Sequence, residues 1–327
     1  MKTVKNTFLL LLVLVLAGCN ATQNEPEGLV IGIQTYSFRT MEDQTPLAIL
    51  NYIKETGIKH VELMGNHAEP FAGAPESPMG NPAFRSIMMK RYRNLELTSE
   101  EQELAVIISG EVEKYNAAVQ EWRQNVDYAK FEALRDLYAE AGISIYAFKP
   151  RVFEKENSDE DIRYGMRAAK ALGATHVTLE HPSDDDHTAR LGKIAEEEGI
   201  IVAYHGHMQQ TPTLWDTAIE QSTANWLNLD FGHYIAAENE NPLQIILDKK
   251  DRIASMHLKD RQRKSNGAGN LEWGKGDTPI VELIQLMQKN NCRFPVTVEL
   301  EYDIPEGSNA VEEVKKCLDF IENSKSL

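Results

Sequence analysis

Four glycines divide the middle of this chain in the same way. Glu55-Thr56-Gly57, Glu140-Ala141-Gly142, Ala171-Leu172-Gly173 and Glu197-Glu198-Gly199 each close a helical pattern and lead into a short apolar run. A glycine after the last turn of a helix, followed at once by a strand, marks a helix-to-strand connection. Eight such runs are spaced along the sequence: Leu29–Phe38, Lys59–Met64, Ile143–Lys149, Ala174–Glu180, Ile200–His207, Trp226–Asp230, Ile253–Lys259 and Val296–Glu301. Strands that alternate with helices form parallel sheets, because a parallel pair needs a crossover. Eight units without a Gly-x-Gly-x-x-Gly phosphate loop predict a closed (β/α)8 barrel over residues 29–327 rather than a doubly wound sheet.

One connection is too long. About eighty residues (65–142) separate the second and third runs, where a barrel needs a helix and two short loops. Residues 67–82 are rich in Pro, Gly and Ala and read as loop, while 100–138 carry Trp122, Val126, Ala129, Ala133 and Leu137 at helical spacing. Residues 66–138 are therefore expected to form a loop and helical insertion on the rim where barrel active sites lie. Its Arg85, Lys90, Arg91, Arg93 and Trp122 make it a candidate flap, or else a packing or dimerisation element; a homo-oligomer is left open.

The ends of four runs carry metal-ligand chemistry: Glu180, Asp230, His257 and Glu299. Alternation puts Thr178 with Glu180, Asn228 with Asp230, Ser255 with His257 and Lys259, and Thr297 with Glu299 and Glu301, so all four ends can face the barrel axis together. Three carboxylates and one imidazole suit Mn²⁺ first, with Mg²⁺, Co²⁺ or Zn²⁺ as alternatives. Further inward candidates are Gln34 and Tyr36 on the first run, Glu62 on the second, Lys149 on the third and the pair His205 and His207 on the fifth. His233 follows Asp230 by three. Lys149 is either a substrate or acid–base group, or an ion-pair partner of Glu62 or Glu180. Lys259 is an inward candidate, and Arg261 is expected to face solvent.

The first eighteen residues stand apart from the fold. Lys2 and Lys5 precede the apolar stretch Phe8–Leu16, and Leu16-Ala17-Gly18-Cys19 reads as a lipoprotein cleavage site with Cys19 as the acylated residue. Residues 19–28 then form a tether, and the expected location is exported and lipid-anchored, periplasmic or at the cell surface. Loss of the two lysines takes the net charge from −16 to −18, which disfavours nucleic acid as a partner. Cys317 shares a helical face with Val314, Leu318 and Ile321 and is expected in the core.

The runs Leu229-Asp230-Phe231-Gly232-His233, Met256-His257-Leu258-Lys259-Asp260, Gly274-Lys275-Gly276-Asp277 and Val298-Glu299-Leu300-Glu301 resemble the xylose-isomerase-like barrel superfamily. That superfamily includes sugar isomerases and epimerases, inosose dehydratases and, more distantly, endonuclease IV. The resemblance implies one divalent ion held by Glu180, Asp230, His257 and Glu299, with Glu301 as the alternative on the last run. It implies catalysis by Glu180, Glu299, His207 and Lys149, and substrate contacts from Gln34, Tyr36, Glu62, His205, His233, Lys259 and Glu301. The implied chemistry is proton abstraction beside a sugar carbonyl. Tyr204-His205-Gly206-His207-Met208 is most similar to the dehydratase branch, which makes a lyase or hydratase on a keto-sugar the alternative to an isomerase or epimerase. A sugar-binding lipoprotein without turnover is a third expectation.

Overall fold

The computed structural model describes residues 28–325; the leader, Cys19 and most of the tether lie outside them. The strands are β1 (Ile31–Gln34), β2 (His60–Met64), β3 (Ser144–Lys149), β4 (His176–Glu180), β5 (Ile201–His205), β6 (Asn225–Asp230), β7 (Ile253–Leu258), β8 (Asp260–Arg261), β9 (Asn270–Leu271) and β10 (Val296–Val298). Eight of them close a barrel in the order β1-β10-β7-β6-β5-β4-β3-β2, every pair parallel, while β8 and β9 form a small antiparallel ribbon beyond β7. The predicted barrel is thus present, and all four helix-closing glycines adopt positive φ, from 66° at Gly199 to 81° at Gly57, the conformation a residue with a Cβ resists.

Alternation sorts the strand residues into two layers. Val177 and Leu179, Val202 and Tyr204, Leu227 and Leu229, Met256 and Leu258, and Val296 and Val298 are buried with the apolar faces of the outer helices in one core. The helix Ala310–Ser324 buries Val314, Cys317 and Ile321 there. The residues between them point to the axis and are polar. Low in the barrel, Tyr146 Oη meets Thr297 Oγ1 at 2.6 Å and His176 Nε2 meets Ser255 Oγ at 2.9 Å. Tyr146 reaches across only because position 32 is glycine: a Cβ there would lie 2.7 Å from its ring. Two register shifts, at Val61/Glu62 and Leu227/Asn228, fall beside inward polar residues, where an irregularity re-aims the side chains that follow.

Three strands stop two or more residues before the C-terminal end of their sequence pattern. The first ends at Gln34 and turns into a 3-10 helix, Thr35–Phe38, which breaks the alternation and leaves Tyr36 39% exposed under the Arg39 guanidinium. The fifth stops at His205 and the last at Val298, so His207, Glu299 and Glu301 stand on the loops just beyond.

Between β2 and β3 the chain forms the short helix Gly65–Ala68, the helices Pro82–Tyr92 and Ser99–Gln124, and then Ala129–Glu140. The 100–138 segment is thus two helices, broken at Asn125–Tyr128, and a helix occupies 82–92. Ala129–Glu140 buries Phe131 and Leu134 in the barrel core and is an ordinary barrel helix. Ser99–Gln124 lies along the barrel wall at its C-terminal end, where Trp122 packs edge-on against Tyr164 at 5.5 Å and its indole N–H donates to the Ala72 carbonyl. At its other end it holds Pro82–Tyr92 through a separate small core of Ile87, Ala105 and Ile108. Lys90 is paired with Glu101 inside this hairpin. No helix among the described residues is long and apolar enough to cross a membrane.

Candidate metal and active site

The polar axis opens at the C-terminal ends of the strands. Asp230 ends β6 and caps the helix Phe231–Ala236, its Oδ1 accepting from the His233 amide at 2.8 Å. That leaves Oδ2 for the site. Oδ2 is fully buried and makes no hydrogen bond of adequate geometry, although the Lys259 ammonium lies 2.8 Å away. His205 Nε2 stands 3.7 Å from the same oxygen. The His205 Nδ1–H donates to Asn228 Oδ1 at 2.7 Å, and Asn228 in turn donates to Ser255, so Nε2 carries a lone pair. Burial, with help from Lys149 and His257, pushes the His205 pKa far down and keeps the ring neutral. A lone pair beside a buried carboxylate oxygen whose charge only the Lys259 ammonium balances is a place where a metal ion could bind.

Two groups of three donors have ligand atoms within 4.8 Å of one another: His205 with Asp230 and His257, and Glu180 with His205 and His207. Both contain two imidazoles and one carboxylate, a donor set for Mn²⁺, Fe²⁺, Co²⁺ or Zn²⁺ more than for Mg²⁺. The residues therefore fit a divalent ion. They group differently from the sequence expectation: His205, expected at the substrate, stands between Glu180 and Asp230 and belongs to both groups. Neither group joins Glu180 or Glu299 to Asp230 and His257.

His257 is clamped between acids, with Glu62 Oε2 2.7 Å from Nε2 and Glu299 Oε2 3.0 Å from Nδ1. Burial alone would lower its pKa, but Glu62 and Glu299 outweigh burial and hold it up at about 10. Burial likewise works to raise Glu62, and His257, Lys149 and Thr178 reverse it to about 2. Gln34 and Thr178 donate to Glu62 Oε1 at 3.1 and 2.7 Å, which leaves Oε2 for the imidazole.

The remaining expected residues form the rim. Lys149 Nζ bonds Glu180 Oε1 at 2.8 Å, which favours the ion-pair reading, and His207 Nε2 lies 3.5 Å from Glu180 Oε2, both side chains half exposed. Lys259 is inward, contacting Asp230, Glu299 and Glu301. Glu299 and Glu301 both converge on this lysine, and only Glu299 also touches His257. Arg261, expected at the surface, is only 9% exposed and directs Nη1 at His233 Nδ1, 2.5 Å away. The ribbon β8–β9 turns it inward, and two-residue strands leave no periodic trace in sequence. Behind the rim, Asp260 accepts from the amides of Gly274, Gly276 and Thr278, which explains the Gly274-Lys275-Gly276-Asp277 run as a loop stitched to a strand end. His67 is also buried, between Thr35 and Gln44, and nothing in its sequence neighbours distinguishes it.

The family model described as xylose isomerase-like TIM barrel matches residues 110–323. The chain belongs to this family. Among curated proteins it is 28% identical over 159 residues to an inosose dehydratase of Clostridium tetani, and 28% identical over 158 residues to one of Bacillus anthracis. Each match covers 42% of this chain and 52% of the relative, so the chain spans about half the length of the curated relatives it matches. Among solved structures, the probable 3-DHS dehydratase of petrobactin synthesis from Bacillus anthracis superposes with TM-score 0.59 at 14% identity over 90% of this chain and 99% of that one. The 3-keto-D-glucoside 4-epimerase from E. coli does so with TM-score 0.55 at 14% identity over 90% and 99%. These likenesses are of fold.

Proposed function

We propose that the protein is a divalent-ion-dependent carbohydrate enzyme that removes a proton beside the carbonyl of a sugar, keto-sugar or inosose-like substrate. The observation that carries this reading is the meeting of a neutral His205 Nε2 with the buried Asp230 Oδ2, 3.7 Å apart, at the open end of a barrel in this family. His205, Asp230 and His257 would hold the ion, His257 giving up a ring proton and one of its two carboxylate contacts to do so, with Glu180, His207 and Glu299 around it. When bound, such an ion polarises substrate oxygens and stabilises an enediolate.

The chain's own residues supply the proton handling. Glu180, paired with Lys149 and 3.5 Å from His207, is placed to take a carbon-bound proton and share it with the imidazole. Glu299 stands across the axis, on the β10 side, kept ionised by Lys259 and His257, which outweigh the effect of burial. Gln34, Arg261 and His233 offer hydrogen-bonding partners for hydroxyls. Return of the proton to carbon makes an isomerase or epimerase. Expulsion of a β-hydroxyl makes a dehydratase, a reading favoured by the His205-Gly206-His207 sequence and by the activity in the names of the curated relatives. Incubation of the Mn²⁺-loaded protein with keto-sugars and inososes in D₂O, followed by NMR, tests both: deuterium at carbon is expected for either, and a new enone only for the dehydratase. Neither exchange nor an enone with any of them overturns the proposal. We also propose export with a lipid on Cys19; Cys19→Ser should then move the protein from the membrane to the soluble fraction, and a soluble wild-type protein removes that part.

A further inference from the structure

One ammonium sits where three carboxylates meet. Lys259 Nζ is 2.8 Å from Asp230 Oδ2, 2.6 Å from Glu299 Oε2 and 2.6 Å from Glu301 Oε2, with 3% of its side chain exposed. Its stem passes over Gly232, where a Cβ would come within 2.3 Å of Lys259 Cγ and 2.9 Å of its carbonyl oxygen. The fold thus reserves this path for the lysine. The carboxylate it neutralises at its inner end is the one grouped with His205 and His257 as a seat for a divalent ion. Two cations on one buried carboxylate repel strongly, because the low dielectric that stabilises each ion pair also magnifies the repulsion. Of the two, the ammonium is the one on a flexible stem, and Glu301, 22% exposed against 7% for Glu299, lies toward the mouth.

We propose that Lys259 is the resident counter-ion of the site, and that a divalent ion entering at His205 and Asp230 displaces its ammonium from Asp230, leaving it held by Glu301, which it already contacts. The lysine would then set the ion affinity and arrive beside the substrate only in the loaded protein. This rests on the reading of the site as an ion site, and its test is ion binding rather than turnover.

Mn²⁺ affinity is measured by calorimetry and by the electron paramagnetic resonance of free Mn²⁺, on the wild-type chain, Lys259→Met, Glu301→Gln and the double variant. Removing the competing charge should tighten Mn²⁺ binding by about tenfold or more, the equivalent of roughly 1.4 kcal/mol. Lys259→Gln, which keeps an N–H donor among the carboxylates, carries the same expectation and covers a methionine variant that does not fold. Glu301→Gln should weaken binding while Lys259 is present and have little effect once it is gone, a coupling that a double-mutant cycle isolates. Folded lysine variants with unchanged or weaker affinity overturn the proposal, and equal weakening by Glu301→Gln in both backgrounds overturns the outer seat. A wild-type protein that binds no Mn²⁺ beside a lysine variant that does supports it. No binding by any of them removes the ion reading as well. Ion affinities that follow the expectation without exchange on any sugar sink the sugar reading alone.

Discussion

Asp230 divides its two oxygens between structure and chemistry: Oδ1 caps a helix and Oδ2 faces the site. A strand-end aspartate therefore need not be one or the other. Asp230→Asn should keep a folded barrel, since an amide oxygen still caps, yet lose tight Mn²⁺ binding; retention of wild-type affinity would show that Oδ2 is not a ligand atom. Glu62→Gln removes the carboxylate 2.7 Å from His257, and the expected result is a fall in kcat of about a hundredfold, in the range of lost acid–base positioning, with KM changed far less. His67 gives a pH signature away from the ion site. Burial lowers its pKa from 6.5 to about 4. As the pH falls below 6.5 the unfolded chain takes up a proton that the folded chain refuses until about 4, so stability is full above 6.5 and is lost across that window, by roughly 3 kcal/mol. Melting from pH 7 to 4 should show a shallower loss for His67→Gln than for wild type; parallel curves would remove His67 as a contributor. At this scale the sequence exposed which side chains share the axis, because period two survives in Thr178 and Glu180, Asn228 and Asp230, and Ser255 and His257. It did not expose who pairs with whom. Lys149 with Glu180 and Lys259 with three acids depend on strand neighbours that lie 31 and up to 42 residues apart in the chain.

The elements show why some expectations about faces did not carry through. Alternation places Tyr36 on the axial face only if β1 runs two residues past its last ladder pair at Gln34, and there it turns into a 3-10 helix; His207, two residues past the end of β5, still reaches Glu180 and His205, but from a loop. The apolar runs continue past those points because loop residues also pack, and periodicity alone does not mark where hydrogen bonding to the next strand ceases. Helix ends were easier to read, since a left-handed glycine is a local requirement. The loop after β9 is held by one carboxylate. Asp260 takes three backbone N–H groups, and Asp260→Ala should cost about 2–4 kcal/mol as those donors lose a buried partner. Urea unfolding measures it, and a change under 1 kcal/mol would mean water replaces the carboxylate without penalty.

Across the whole molecule the barrel was the most legible feature and the insertion the least. Closure follows from eight alternating units, each short-range. The hairpin of Pro82–Tyr92 and Ser99–Gln124 depends on three buried residues and on contacts such as Trp122 with Tyr164 that span 42 residues, and its cationic helix carried no signal of where it would lie. Trp122 and Lys90, two of the features that suggested a flap, are engaged in packing and in an internal ion pair. Deleting residues 84–125 with a short Gly/Ser bridge should therefore leave kcat and KM within about threefold of wild type; a tenfold loss of kcat would restore a catalytic role. The separate core of Ile87, Ala105 and Ile108 has one more consequence. A cluster that small is a cooperative unit of its own, so the hairpin should open without the barrel. Under native conditions its amides would exchange through a sub-global opening of low free energy, and trypsin would cut first after the exposed Arg91 or Arg93, leaving the closed barrel protected from both.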